Sequence, residues 1–334
     1  MPAQSQACRA ATGAPRQSGL DCAHRPDPPS HRSATPAMLI LLTGSTGFIG
    51  HTLRSALERA GHAVHGGVSP HRAPAAPGQV PMDFARDTTP EAWLPRLQGI
   101  DAVVNAVGVL RDSSARPIDA VHQHTPCALF QACARAGVRR VVQISALGIE
   151  GSATRYARTK LAAEACLRSL ADAAQLDPVV LRPSVVFGKG GDSSALFMNL
   201  ARLPVVVFPA PMLTARIQPV SVHDLAAAVV ALLGPALQHT GTVACTGPEP
   251  LRMADFVASL RQQQGHSPAR VLRLPLPLTR LSARMGDLLP TSVPWCSESL
   301  AMLDSDNVGD PAAFEQLLGR PGVHYSQLVA GAWR

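Results

Sequence analysis

Apolar positions along the chain follow two different periods, and the switches between them predict the elements. Leu39–Thr43 is a short run of consecutive apolar residues, as expected of a strand buried on both faces. The glycine-rich TGSTGFIG of Thr43–Gly50 follows, then an amphipathic helix over His51–Ala60 that Gly61 stops. Further strands are predicted at His62–Gly67, Gln79–Phe84, Asp101–Val107 and Arg140–Ser145. A helix over Val121–Ala136, closed by Gly137, precedes the last of these. Tyr156–Ala171 has helical spacing and Val179–Val186 is again strand-like. Strands separated by helices at this spacing build βαβ units, so the expected class is α/β, a doubly wound parallel sheet with helices on both faces.

Two stretches break this rhythm. Residues 1–37 are rich in Pro, Ser, Ala and Arg and carry one Leu and no Ile, Val or aromatic residue. Such a segment buries too little apolar surface to offset its ordering entropy. It reads as a disordered extension or as residues upstream of a true start at Met38; an Arg-bearing, acid-poor targeting peptide is the remaining alternative. After Gly188 the chain turns Pro-rich and irregular. The exceptions are a strand at Gln218–Val222, a helix at Asp224–Leu233 with Asp224 as its N-cap, and a short strand at Thr242–Thr246. The expected organisation is a nucleotide-binding domain over 38–188 to which 216–246 returns. A smaller, mostly helical lobe of 189–215 and 247–334 takes a substrate or partner.

Composition narrows the function. With 46% hydrophobic and only 16% charged residues the chain is globular in type. Its longest apolar stretches, near Leu203–Leu213 and Leu225–Leu233, are well short of the roughly 20 residues of a membrane span, so no transmembrane helix is expected. The net charge of +7 is almost all arginine, because Lys160 and Lys189 are the only lysines. These arginines are scattered and few aromatics lie among them, which argues against nucleic acid. A diffuse positive field favours anionic small molecules, an acidic partner or a membrane surface. Seven cysteines without a CxxC pair argue against a disulfide framework or a metal site and point to a reducing, cytoplasmic compartment.

Candidate chemistry begins at Gly44, Gly47 and Gly50, which lie between the first strand and the first helix. A tight turn there brings backbone N–H groups to a diphosphate, and the helix dipole favours its charge. This context makes the loop a dinucleotide site on a Rossmann-type domain. Asp83, with Phe84 beside it, closes the third strand, where its carboxylate would accept a hydrogen bond from an adenine amino group. Asn105, Ala106, Val107 and Gly108 end the fourth strand, where ribose and diphosphate would cross the strand ends. An NAD-preferring site carries an acid after the second strand, but Gly67–Arg72 has none. Ser69 and Arg72 would instead hold a 2′-phosphate, so NADP(H) is favoured over NAD(H).

Tyr156 and Lys160 stand four residues apart, on one face of a predicted helix. A neighbouring ammonium favours the phenolate, so Lys160 is expected to lower the Tyr156 pKa toward the working range and to hold the nicotinamide ribose. Ser145, at the end of the preceding strand, would hydrogen-bond a substrate carbonyl. Tyr156, Lys160 and Ser145 are therefore the candidate catalytic residues.

Together these motifs resemble the extended and atypical short-chain dehydrogenase/reductases, whose members include NAD-dependent epimerases and dehydratases. TGSTGFIG, NAVG, the YxxxK helix and Arg182–Gly188 occur in that family's order. ISALG (Ile144–Gly148), YARTKLAAEA (Tyr156–Ala165), LRPSVVFG (Leu181–Gly188), QPVSVHDLA (Gln218–Ala226), TGPEPL (Thr246–Leu251) and Met302–Val308 bring it nearest to bacterial relatives of the nucleotide-binding accessory subunit of respiratory complex I. The resemblance covers Met38 to about Val329. It implies a Rossmann domain with a C-terminal substrate lobe, bound NADP(H) and Ser–Tyr–Lys chemistry. It also carries cofactor contacts onto Gly44, Ser45, Thr46, Gly47, Phe48, Ile49, Arg72, Asp83, Ala106, Val107, Tyr156, Lys160 and Pro183. This chain departs from the pattern at His122, where relatives carry Asn, and in the 11 residues from Ser145 to Tyr156, a short separation.

Two functions follow from the resemblance. One is an oxidoreductase or epimerase with hydride transfer at the nicotinamide and Tyr156 as acid/base. The other is a non-catalytic NADPH-binding factor that docks on a respiratory or quinone-related assembly, peripheral to the inner face of a membrane. A redox-sensing regulator is a third and weaker reading, because it has no need of the Tyr156–Lys160 pair. Leucines and arginines alternate over Val271–Leu289, but Pro275 and Pro277 interrupt any long amphipathic helix, so packing inside the lobe is expected there.

Overall fold

The structure is a computed structural model that describes residues 37–70, 76–234, 239–289 and 295–333. Residues 1–36 of the expected extension 1–37, and Arg72, lie outside the described residues. Seven strands form one parallel sheet: β1 (Leu39–Thr43), β2 (Ala63–Val68), β3 (Gln79–Pro81), β4 (Ala102–Asn105), β5 (Arg140–Ile144), β6 (Asp177–Pro183) and β7 (Gly241–Cys245). Their spatial order is β7-β6-β5-β4-β1-β2-β3, so the direction of winding reverses between β1 and β4. Thr43 pairs with Asn105 across that junction, and both strands finish level at their carboxyl ends. A crevice opens there in sheets of this kind.

The alternation of β1 explains the two faces. Ile40 and Leu42 point to one side, where α1 (Phe48–Arg59) and α4 (Val222–Leu232) bury Leu53, Leu57, Leu225 and Val229 against them. Leu41 points to the other, where α2 (Thr125–Ala136) and α3 (Arg155–Asp172) bring Leu129, Phe130, Ala163 and Leu167. A third cluster, of Phe187, Phe197, Phe208, Phe256 and Leu260 among others, is formed mostly by residues after Gly188. It includes α5 (Met253–Gln263) and a parallel ribbon of Val205–Pro209 with Arg270–Leu274. Helix α6 (Leu276–Asp287) follows that ribbon, and α7 (Ala312–Leu318) returns to the sheet, with Phe314 and Leu317 in the first core.

Several boundaries differ from expectation for local reasons. Helix α1 starts at Phe48, so the loop before it is only Gly44–Gly47. The helix expected from Val121 opens with a wide π turn at Ala120–His124, and α2 proper begins at Thr125. Pro126 has no N–H to donate to the His122 carbonyl, so regular helical pairing cannot run through that point. Asp224 is not the N-cap of α4: Ser221 is, and its hydroxyl oxygen accepts from the His223 amide at 3.2 Å. The Asp224 carboxylate is buried and instead accepts from Arg320 at 2.5 Å and from the Val323 amide at 2.7 Å, fixing the C-terminal segment.

Candidate functional site

The β1–α1 turn is built for close approach. Gly44 has φ +69°, and a Cβ there would sit 3.0 Å from the Ala106 carbonyl carbon and oxygen. The Gly47 amide donates to the Gly44 carbonyl at 2.9 Å. At Gly50 a Cβ would fall 2.0 Å from that same oxygen, so packing of the turn alone demands glycine. Gly47 is different, because a Cβ there would meet the Gly44 oxygen at an ordinary 3.4 Å. The packing of the turn itself therefore makes no demand for glycine at 47. Gly47 caps α1 without a side-chain hydrogen bond, and the first turn carries no acid, so the positive end of the dipole is not neutralised locally.

This turn borders a cleft of about 410 Å³ at the β1–β4 junction. Gly44, Thr46, Gly47, Ser69, Asp83, Phe84, Ala106, Val107 and Gly108 all line it. Arg86, Val109 and Ser114–Arg116 also line it, and nothing in their spacing had marked them. The Asp83 carboxylate accepts from the Ala85 amide at 3.0 Å and has Arg86 at 3.8 Å. Other candidates face inward. The Ser45 hydroxyl donates to the Gly67 carbonyl at 2.9 Å and fixes the end of β2. Asn105 is fully buried: it accepts from Thr43 at 2.5 Å and donates to Gln143 at 2.7 Å, tying β1, β4 and β5 together. Phe48 packs on the loop after β6, where a Cβ at Gly191 would come within 2.9 Å of its ring. Ile49 leans on the first core, Phe84 meets Trp93 edge-on at 5.6 Å, and the Pro183 carbonyl accepts from the Leu147 amide at 2.9 Å.

Beyond Gly108, Thr154 starts α3 by accepting from the Ala157 amide at 3.2 Å. Lys160 Nζ donates to the Ile144 carbonyl at 3.2 Å and lies 6.0 Å from the centre of the Tyr156 ring. It faces the cleft lining, since a Cβ on Gly108 would be 3.4 Å away from it. Burial pushes the Lys160 ammonium down to about 8, against the opposing pull of Glu164. Burial also pushes the Tyr156 phenol up to about 12, the reverse of the lowering expected from its neighbour. Desolvation of the phenolate outweighs a cation that is itself aimed at a carbonyl and offset by a carboxylate.

Ser145 is drawn away from this pair. Its hydroxyl donates to Glu164 Oε1 at 2.5 Å, and Glu164 is held by Arg182 at 2.5 Å, which also reaches Glu150 at 2.6 Å. The structure thus brings Tyr156 and Lys160 together and leaves the Ser145 hydroxyl on a carboxylate. Glu164 escaped the sequence reading although Tyr156, Lys160 and Glu164 follow one another at steps of four on one helix face. His122 forms a clasp beside them. Its Nε2 accepts from the Val109 amide at 2.9 Å, its Nδ1 meets Thr159 Oγ1 at 3.2 Å, and its ring lies edge-on to Tyr156 at 5.2 Å. Burial, with the Lys160 charge, pushes the ring down to about 2, so it is neutral and works as an acceptor toward the cleft rim.

The pattern of the NAD dependent epimerase/dehydratase family matches residues 40–242. The chain belongs to that family. Membership makes the chain one of a family of pyridine-nucleotide-binding proteins. The chain is similar to a ceramide reductase of Caulobacter vibrioides, with 29% identity over 198 residues, 58% of this chain. That match spans 60% of the relative's own length. It is also similar to the mitochondrial NADH dehydrogenase [ubiquinone] 1 alpha subcomplex subunit 9 of Arabidopsis thaliana, 27% identical over 83% of this chain and 70% of that one. Among solved structures, UDP-N-acetylglucosamine 4-epimerase from Bacillus cereus shares the fold, with a TM-score of 0.64 at 16% identity, covering 88% of this chain and 98% of that one.

Proposed function

We propose that the chain is an NADP(H)-dependent oxidoreductase or epimerase in which Tyr156 is the acid/base. The observation that carries this reading is the Tyr156–Lys160 pair on α3, with the ammonium against Gly108 at the edge of the cleft. When bound, the nicotinamide would supply or accept a hydride. Backbone amides from Ser45 to Gly50 hold the pyrophosphate, and Asp83 takes the adenine amino group. Ser69, Arg72 and the newly found Arg86 hold a 2′-phosphate, in the absence of any acid after β2. Lys160 holds the nicotinamide ribose. A phenol raised to about 12 keeps its proton at neutral pH, which suits donation to a carbonyl oxygen undergoing reduction. The lobe of 189–215 and 247–334 receives the substrate. Lipid carbonyls are the first substrates to assay, given the ceramide reductase likeness.

Turnover of NADPH by purified protein with a carbonyl substrate tests this. Tyr156→Phe is expected to lower kcat by about 100- to 10,000-fold with coenzyme affinity retained. Wild-type protein that binds NADPH and oxidises it with no carbonyl would end the enzyme reading. Arg72→Ala should weaken NADPH more than NADH, and equal losses would remove the phosphate assignment.

A second reading has its own support. The Ser145 hydroxyl is engaged by Glu164, and one relative, similar over 83% of this chain, is a subunit of NADH dehydrogenase. In that reading the chain holds NADPH without turning it over and docks, in the cytoplasm at the inner face of a membrane, on a respiratory or quinone-related assembly. Slowly exchanging NADPH with no turnover decides for it.

A further inference from the structure

Helix α6 is inside out. Thr279, Ala283 and Gly286 form its buried face, while Leu278, Leu281, Met285 and Leu288 share another face and are 51%, 54%, 62% and 88% exposed. Rotating the helix to hide the leucines is not open to it, because a Cβ at Gly286 would fall 2.3 Å from the Trp295 carbonyl oxygen. Only the small-residue face fits against the Trp295 segment. On the ribbon that precedes the helix, Val205, Val207 and Leu272 share one face and are about half exposed. The expected packing of this stretch inside the lobe is therefore not what the chain does.

Charge says what would cover such a face. From Arg270 to Gly286 the segment carries Arg270, Arg273, Arg280 and Arg284, all exposed, and no Asp or Glu. Arg280 and Arg284 lie one turn apart, beside the leucine row. Asp287, at the helix end, is occupied by the Ser297 amide at 2.8 Å and hydroxyl at 2.6 Å. An apolar strip flanked by arginines matches the boundary between acyl chains and anionic headgroups, and a basic chain of net charge +7 is drawn to that surface. No described helix is long and apolar enough to cross a membrane, so this is attachment from one side.

We propose that α6 and the adjoining ribbon form a docking face for an anionic lipid bilayer. Leu278, Leu281, Met285 and Leu288 enter the acyl boundary, and Arg280 and Arg284 sit among headgroup phosphates. The face adjoins the cleft: Arg111, in the loop between Val109 and Ser114, donates to the Asp287 carbonyl at 2.8 Å. Attachment thus holds the rim of the coenzyme cleft near headgroup level. The docking does not depend on whether Tyr156 turns coenzyme over.

Flotation of the full chain with phosphatidylcholine vesicles, with and without phosphatidylglycerol, tests the assignment. Binding is expected to the anionic vesicles and to fall with rising salt. L281S with M285S should weaken it by ~10-fold or more, by loss of two buried apolar side chains. R280Q with R284Q should weaken it by about 30-fold at low salt, and make the residual binding less sensitive to salt. All four positions are exposed, so thermal stability and coenzyme affinity should be unchanged, which separates lost docking from lost folding. A well-folded chain that floats with neither vesicle type overturns the proposal. So does a dimer, seen by light scattering, that the leucine-face substitutions dissociate, because a second copy would then be the occupant.

Discussion

The glycine turn and the cluster around Tyr156 are made of different materials. At the turn the parts that shape the cleft are backbone: a left-handed Gly44, a Gly47–Gly44 hydrogen bond and the first amides of α1. Side chains there, such as Ser45 and Asn105, turn inward and brace the strands. Around Tyr156 the parts are side chains: Tyr156, Lys160, Glu164, Arg182 and His122 lie together in a largely buried cluster. A backbone site tolerates much sequence change as long as a few glycines stay. A buried polar site is satisfied only as a whole, because each group left without a partner keeps its desolvation penalty.

Substitutions at four positions probe this contrast, beginning with the strongest. Glu164→Ala leaves Arg182 and Ser145 without their buried partner and is expected to cost about 3–5 kcal/mol in chemical denaturation. A loss below about 1 kcal/mol, the range of an exposed pair, would mean that solvent reaches this network. His122→Leu removes the acceptor of the Val109 amide and should cost about 1–3 kcal/mol. Coenzyme affinity should fall with it, since that amide shapes the rim, and His122→Asn should restore part of both. Unchanged affinity in the Leu variant would separate the clasp from the cleft.

Gly47→Ala addresses the backbone end. Its Cβ meets only an ordinary contact, so stability should stay within about 0.5 kcal/mol of wild type while calorimetry shows coenzyme binding weakened about tenfold. If Gly47→Ala binds coenzyme normally, nothing lies over the helix start. The last test is a pH slope. Lys160 is lowered to about 8 from its ordinary 10.5, so between those values the folded chain holds less proton there than the unfolded chain. Stability contributed at this position is therefore lowest below pH 8 and recovers as pH rises toward 10. Tyr156, raised to about 12, adds the opposite slope only above its ordinary 10. Comparing wild type with Lys160→Met at pH 7 and pH 9.5 should show the gap narrowing or reversing; a constant gap would mean that the ammonium is hydrated.

The β1–α1 turn was readable from spacing because it needs little besides glycine in the right places. Gly44, Gly47 and Gly50, set between an all-apolar strand and an amphipathic helix, already specify the turn, and the strand–helix alternation specifies the parallel sheet around it. Tyr156 and Lys160 were equally readable, being four apart on one helix. The direction of their pKa shifts was not. It depends on how deeply α3 buries both groups and on a carboxylate whose partners, Ser145 and Arg182, come from two separate strands.

Local pattern thus determined the elements, their class and the nucleotide turn, since each follows from residues within one or two turns of chain. Tertiary structure decided what those residues face. It turned Asp224 from a cap into an anchor for Arg320, gave the Ser145 hydroxyl to Glu164, and set the leucines of α6 outward by fitting Gly286 to the Trp295 backbone. Periodicity can say that a helix has an apolar side; which side is buried is settled only by the shape of what it packs against.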